Sequence, residues 1–96
     1  MNREEFISSL ESDTPPNALP PLLRALWLDA KGDWEGAHSI AQSKEGTRDY
    51  DRLHAYLHRV EGDNWNANYW YRRAGASMPT HSLQDEWNEL ATQWTL

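Results

Sequence analysis

The stretch from Leu53 to Ala74 constrains the fold of this chain most, because it combines two short helical patterns with a two-residue break between them. On both sides of Gly62 and Asp63, apolar residues recur at three- and four-residue steps, the spacing of one helical face. A glycine directly after such a face is typical of a helix end with positive φ. An aspartate in the next position suits the N-cap of a second helix. So short a break makes the helices return antiparallel, and the stretch therefore predicts a helical hairpin.

The same pattern occurs thirty residues earlier. Its matching positions are Leu23, Ala25, Gly32, Asp33 and Ala37, which align with Leu53, Ala55, Gly62, Asp63 and Ala67. No strand pattern competes with the helical spacing anywhere, and stacked hairpins closed by a lone helix are typical of helical repeat arrays. We therefore predict a single all-α domain of about six helices. Its predicted parts are an N-terminal helix (1–13), a first repeat (19–46), a second repeat (47–79) and a C-terminal capping helix (80–96).

The second copy also has a characteristic order of residues: a small residue, the Gly-Asp turn, alanine, an aromatic residue, alanine and a final proline. These stand at Ala55, Gly62, Asp63, Ala67, Tyr71, Ala74 and Pro79. This order resembles the tetratricopeptide repeat, and the phrase NANYWYRRAG is similar to the core of Sel1-like repeats. The first copy matches less well, with Ala41 in place of the aromatic residue and Lys44 in place of the second alanine. The resemblance implies TPR-like antiparallel hairpins and a role in protein interaction.

The charge distribution limits the classes of partner. A formal net charge of −6 argues against a nucleic-acid or anionic-membrane binder. Five of the nine lysines and arginines nevertheless lie between Arg48 and Arg73, so the centre of the chain is locally basic. There is no cysteine, and the first ten residues contain two glutamates where a signal peptide would be apolar. We expect a cytoplasmic protein without a membrane segment.

A basic strip on the first helix of the second repeat is the predicted binding surface. It consists of Arg52, Tyr56 and Arg59, spaced by four and three residues. The family resemblance implies that this strip faces a concave groove, where arginines and a tyrosine suit an acidic peptide or protein partner. Arg72 and Arg73 extend the predicted basic surface, although both also complement a helix dipole. The alternative is a solvated charged face, whose ion pairs contribute at most about 1 kcal/mol each.

A second candidate site lies on another face of the same helix. Asp51, His54, His58 and Glu61 fall within about a quarter of its circumference. Histidines at i and i+4 can share one zinc ion, and a carboxylate can supply a further ligand. The alternative for these histidines is simple hydrogen bonding to carboxylates. The interaction surface needs no cofactor, whereas this second hypothesis calls for a divalent metal such as zinc.

Catalysis is not indicated by any motif. The chain has no H-E-x-x-H metalloprotease sequence and no glycine loop for phosphate. Histidine beside aspartate is compatible with acid–base chemistry, but no nucleophile can be placed next to it from spacing. Enzymatic activity is therefore left open as part of the histidine-centred hypothesis.

Three packing expectations complete the sequence analysis. Ala55 and Ala67 are small where the hairpin helices should approach most closely. Thr47 stands in the N-cap position of the helix that runs through Leu53. Trp65 and Tyr69 share a face at i and i+4, and we expect them to pack beneath the C-terminal helix.

Overall fold

The computed structural model describes residues 1–96 and contains six helices and no strands. The helices are α1 (Arg3–Ser9), α2 (Pro21–Ala30), α3 (Trp34–Gln42), α4 (Arg48–Val60), α5 (Asn64–Arg73) and α6 (Leu83–Trp94). The prediction of an all-α chain with about six helices is confirmed. None of the six combines the length and the apolar character needed to span a bilayer.

Two helical hairpins, α2–α3 and α4–α5, share the same turn chemistry. Gly32 and Gly62 end the first helices with φ of 89° and 84°, a region that glycine adopts without a steric penalty. Each following aspartate caps the next helix: Asp33 Oδ1 accepts from the Gly36 N–H at 2.9 Å, and Asp63 Oδ1 accepts from the Asn66 N–H at 3.2 Å. The predicted turns are therefore confirmed.

The close crossing of α4 and α5 is built around small residues. Ala55 and Ala67 are both fully buried and pack with Tyr71, as their size predicts. Next to this hairpin, α3 packs against α4, and the Trp34 indole N–H donates to the Leu57 carbonyl at 2.8 Å. This bond joins the two hairpins along one seam, which we call the α3–α4 seam.

Helix α6 lies against α2 and α4, and it completes the main core. The Trp87 indole N–H donates to the Leu26 carbonyl at 3.0 Å, and the Trp87 ring stacks on Phe6 of α1 at 5.8 Å. The expectation that Trp65 and Tyr69 pack beneath this helix is wrong. Trp65 is 76% exposed, and the two rings stack on each other with centroids 6.5 Å apart.

The start of α4 also differs from the expectation. Thr47 occupies the N-cap position with extended backbone, but its side chain caps no backbone N–H. Asp51, one turn into the helix, reaches back instead, and its Oδ1 accepts from the Gly46 N–H at 3.0 Å. This bond explains why a charged residue that is only 2% exposed is tolerated there.

Candidate metal-binding site

Three imidazoles converge at the α3–α4 seam. His54 and His58 stand one turn apart on α4, and His38 reaches them from α3. One ligand nitrogen from each lies within 4.8 Å of the other two. The closest pair is His38 Nε2 and His54 Nε2, which are 3.0 Å apart. We call these three residues the histidine cluster.

Two tryptophans hold the rings of the histidine cluster in place. Trp34 stacks on His38 with centroids 4.5 Å apart, and Trp70 stacks on His54 at 3.9 Å. Trp34 is itself fixed by its hydrogen bond to the Leu57 carbonyl. The imidazoles of His38 and His54 are therefore oriented by packing, which would lower the conformational entropy lost on binding a common ligand.

Glu61 orients the third imidazole. Its Oε1 lies 2.7 Å from His58 Nδ1, which leaves the other ring nitrogen of His58 free to bind a ligand. A carboxylate that accepts from the far nitrogen of a metal-binding histidine fixes the ring and its tautomer. His54 lacks such a support, because its Nδ1 is buried without a hydrogen-bond partner.

The surroundings of the histidine cluster favour neutral imidazoles. Burial is the main cause that lowers the pKa of His54 to about 4, and the neighbouring His58 and His38 lower it further. Burial also lowers the pKa of His38, with His58 as the next cause. At neutral pH His54 is therefore deprotonated. A neutral imidazole is the form of histidine that binds a metal ion.

The spacing of two of the nitrogens is close to that of a coordination site. Two nitrogens bound to one tetrahedral zinc ion at about 2.0–2.1 Å lie roughly 3.3 Å apart. The 3.0 Å between His38 and His54 is near that value, and the His58 ligand nitrogen lies within 4.8 Å of both. Three histidines would leave a fourth position for water or another ligand, as in sites with an open coordination position.

The predicted metal ligands are partly brought together. His54 and His58 face the same space, and Glu61 contacts His58 rather than joining the three nitrogens. Asp51 does not reach the cluster, since its carboxylate binds the Gly46 N–H and lies 3.9 Å from Arg73 Nε.

His38 is not among the predicted ligands, because helical spacing relates only residues of the same helix. A signal was available in the repeat pattern. In an array of hairpins the second helix of one hairpin packs on the first helix of the next. His38 follows the buried Ala37 by one residue and Trp34 by four, so it lies beside the face of α3 that meets α4. A search across this interface would have included it.

The predicted basic strip is not open to solvent. The Arg52 and Arg59 side chains are 15% and 16% exposed, and each lies 2.7 Å from an oxygen of Glu86 on α6. Tyr56 is 3% exposed, and its hydroxyl donates to Asp29 Oδ2 at 3.0 Å. The chain's own C-terminal helix therefore covers the face that the sequence analysis expects to receive a partner.

Glu86 is the centre of this contact. It is fully buried, and it also accepts from the Tyr71 hydroxyl, while Arg59 donates to the His81 carbonyl. The remaining two residues of the predicted surface, Arg72 and Arg73, are exposed. Arg73 lies over Trp70 at 5.3 Å and over Tyr69 at 5.7 Å, so part of its surface covers aromatic rings.

Comparison with protein-family models, with curated proteins and with solved structures finds no match for this chain. The resemblance to tetratricopeptide and Sel1-like repeats therefore stays a prediction.

Proposed function

We propose that this protein binds a divalent transition-metal ion through His38, His54 and His58. The observation that carries the proposal is the convergence of three imidazoles from two helices, with ligand nitrogens within 4.8 Å of one another. Neutral imidazoles can share this space without repelling each other, and the lowered pKa values of His38 and His54 favour that neutral form. The nitrogen lone pairs of neutral imidazoles are the groups that would bind a cation.

The ligand set favours some ions over others. Imidazole nitrogens suit zinc, copper and nickel, whereas magnesium and calcium prefer oxygen ligands. The Trp34 and Trp70 rings beside the histidines add no oxygen donor. Zinc is therefore the reference ion for the proposal, and copper is expected to compete with it because it binds nitrogen ligands more tightly.

Zinc titration of the metal-free protein tests the proposal. We expect binding by calorimetry and a rise in Tm, because an ion bound by the folded state alone stabilises it by about 2.7 kcal/mol at a free concentration of 100 Kd. His38→Gln and His58→Gln should each abolish the shift, since both remove a nitrogen ligand. Glu61→Gln should weaken binding by about 10–100-fold through loss of the outer support.

His81→Ala is the matched control. His81 lies outside the histidine cluster, beside Glu89, and only its backbone carbonyl takes part in the Arg59 contact. This variant should bind zinc as the parent does, and magnesium should produce no shift in any variant. Equal zinc shifts in His38→Gln and the parent protein would refute the proposed site.

Binding of a protein or peptide partner stays a separate prediction. Of its predicted surface, Arg72 and Arg73 remain open to solvent, on the same helix as the exposed Trp65. A role in protein interaction would therefore depend on the outer face of α5 rather than on Arg52, Tyr56 and Arg59.

A further inference from the structure

A pocket of about 380 Å³ lies on the opposite side of α4 from the histidine cluster. It opens between α2, α4 and α6, close to the end of α1. Its wall is mainly apolar and includes Leu10, Val60, Leu83 and Trp87. Its polar groups are Asp29 and the hydroxyl of Tyr56, with Gln84 at the exposed rim. The volume is at the lower end of the range for small-molecule sites, about 300–1,000 Å³.

Asp29 has no cationic partner, and this distinguishes it from the other acid that contacts α4. Glu86 is neutralised by two arginines at 2.7 Å each. Asp29 accepts one hydrogen bond, from the Tyr56 hydroxyl to Oδ2, and makes no ion pair. Its second oxygen therefore accepts nothing within the protein. Burial raises the pKa of Asp29, and the hydrogen bond from Tyr56 offsets part of that rise.

We propose that this pocket binds a small organic ammonium ion with an apolar body. The ammonium group would donate to Asp29, where a charge-assisted hydrogen bond and ion pair replace lost hydration. The apolar body would lie against Val60 and Leu83, in a wall that also includes Trp87. A carboxylate in a mainly apolar wall is complementary to an amine and not to an anion.

The test uses three probes of similar size and different charge: 2-phenylethylammonium, 2-phenylethanol and phenylacetate. Binding is followed by ¹⁵N NMR, in which the Trp87 indole N–H, bonded to the Leu26 carbonyl, reports on the pocket wall. We expect saturable shifts with the ammonium ion and binding about tenfold or more weaker with the neutral alcohol, from the strength of hydrogen bonds to charged groups. Phenylacetate should not bind.

Two variants tie the selectivity to the carboxylate. Asp29→Asn keeps the shape of the side chain and should lose the preference for the ammonium probe over the alcohol. Gln84→Lys places a cation at the exposed rim and should weaken ammonium binding without disturbing the core. Asp13→Asn, at an exposed position outside the pocket, is the control and should bind as the parent does.

The pocket and the histidine cluster can be separated in the same experiment. His38→Gln removes a proposed metal ligand and lies away from the pocket, so it should retain ammonium binding. Failure of zinc to bind would therefore leave the pocket proposal intact. Equal binding of the ammonium and alcohol probes, undiminished ammonium selectivity in Asp29→Asn, or no ammonium binding by the folded parent protein would overturn it.

Discussion

Replacing Arg59 by alanine tests how α6 is held on α4. The guanidinium pairs with Glu86 Oε1 at 2.7 Å and also donates to the His81 carbonyl. Removing one partner of a buried ion pair costs about 3–5 kcal/mol, because the other charge is left uncompensated. Glu86 would keep Arg52 and the Tyr71 hydroxyl, which places the loss of the pair near the lower end of that range. The lost bond to the His81 carbonyl adds about 1 kcal/mol.

We therefore expect Arg59→Ala to lower the free energy of unfolding by about 3–5 kcal/mol. Urea titration followed by circular dichroism measures it, with the slope of the transition showing whether unfolding remains two-state. Arg72→Ala is the matched control, since Arg72 is exposed and a surface substitution changes stability by about 0.5 kcal/mol or less.

The sequence pattern predicts the opposite, because it places Arg52 and Arg59 among exposed charges, which contribute little to stability. A loss below about 1 kcal/mol for Arg59→Ala, similar to that of Arg72→Ala, would support the surface interpretation. It would refute the argument that the buried Glu86 makes this contact costly to break. A double-mutant cycle with Glu86→Ala isolates the pair, and a coupling energy near zero would refute it independently.

Two further predictions concern the α4–α5 hairpin. In metal-free buffer, the unfolded chain binds more protons than the native state between the ordinary His54 pKa of 6.5 and the native value of about 4, so stability should fall as pH falls through this window. As pH falls through this window, urea titration should show the free energy of unfolding of His54→Phe rising relative to that of the parent by up to about 3 kcal/mol. A difference between the two proteins that does not change with pH would contradict this. Ala55→Leu should overpack against Ala67 and cost on the order of 1–3 kcal/mol, whereas an unchanged Tm would exclude the tight crossing.

The local features of this fold could be predicted from the sequence because they depend on neighbouring residues. The helices follow from apolar residues at three- and four-residue steps, and the turn at Gly62 follows from its position after such a stripe. The cap by Asp63 depends on a backbone N–H three residues away. Bonds between residues so close in sequence produce the same sequence pattern in any fold.

The position of α6 could not be predicted in this way. Glu86 is twenty-seven residues from Arg59 and fifteen from Tyr71, and nothing in local spacing identifies these residues as partners. The arginines of the basic strip suit an acidic group, and in this fold Arg52 and Arg59 pair with Glu86 of the chain itself. A charged residue that becomes fully buried cannot be distinguished from a surface residue by its type alone.

The residues of the candidate site also divide into those that local spacing identifies and those that it does not. His54 and His58 are visible because one helical turn separates them, whereas His38 joins them through the packing of α3 on α4. Asp51 lies one turn before His54 in sequence, yet its carboxylate points back toward Gly46. Helical spacing shows which residues share a sector of one helix, and side-chain direction decides which of them meet.

The α3–α4 seam has a mechanical consequence. The two hairpins are linked by a short connection, by apolar packing and by the hydrogen bonds of Trp34 and Tyr56. His38 and His54 stand sixteen residues apart on opposite sides of the seam. An ion shared by them would hold the two sides of the seam together in the folded state, and it would stabilise that state because the unfolded chain does not bind it. The first and second hairpins would then open as one unit in hydrogen exchange rather than separately. The chain has no cysteine and so no disulfide at the seam. The metal concentration would then determine how strongly the two hairpins are held together.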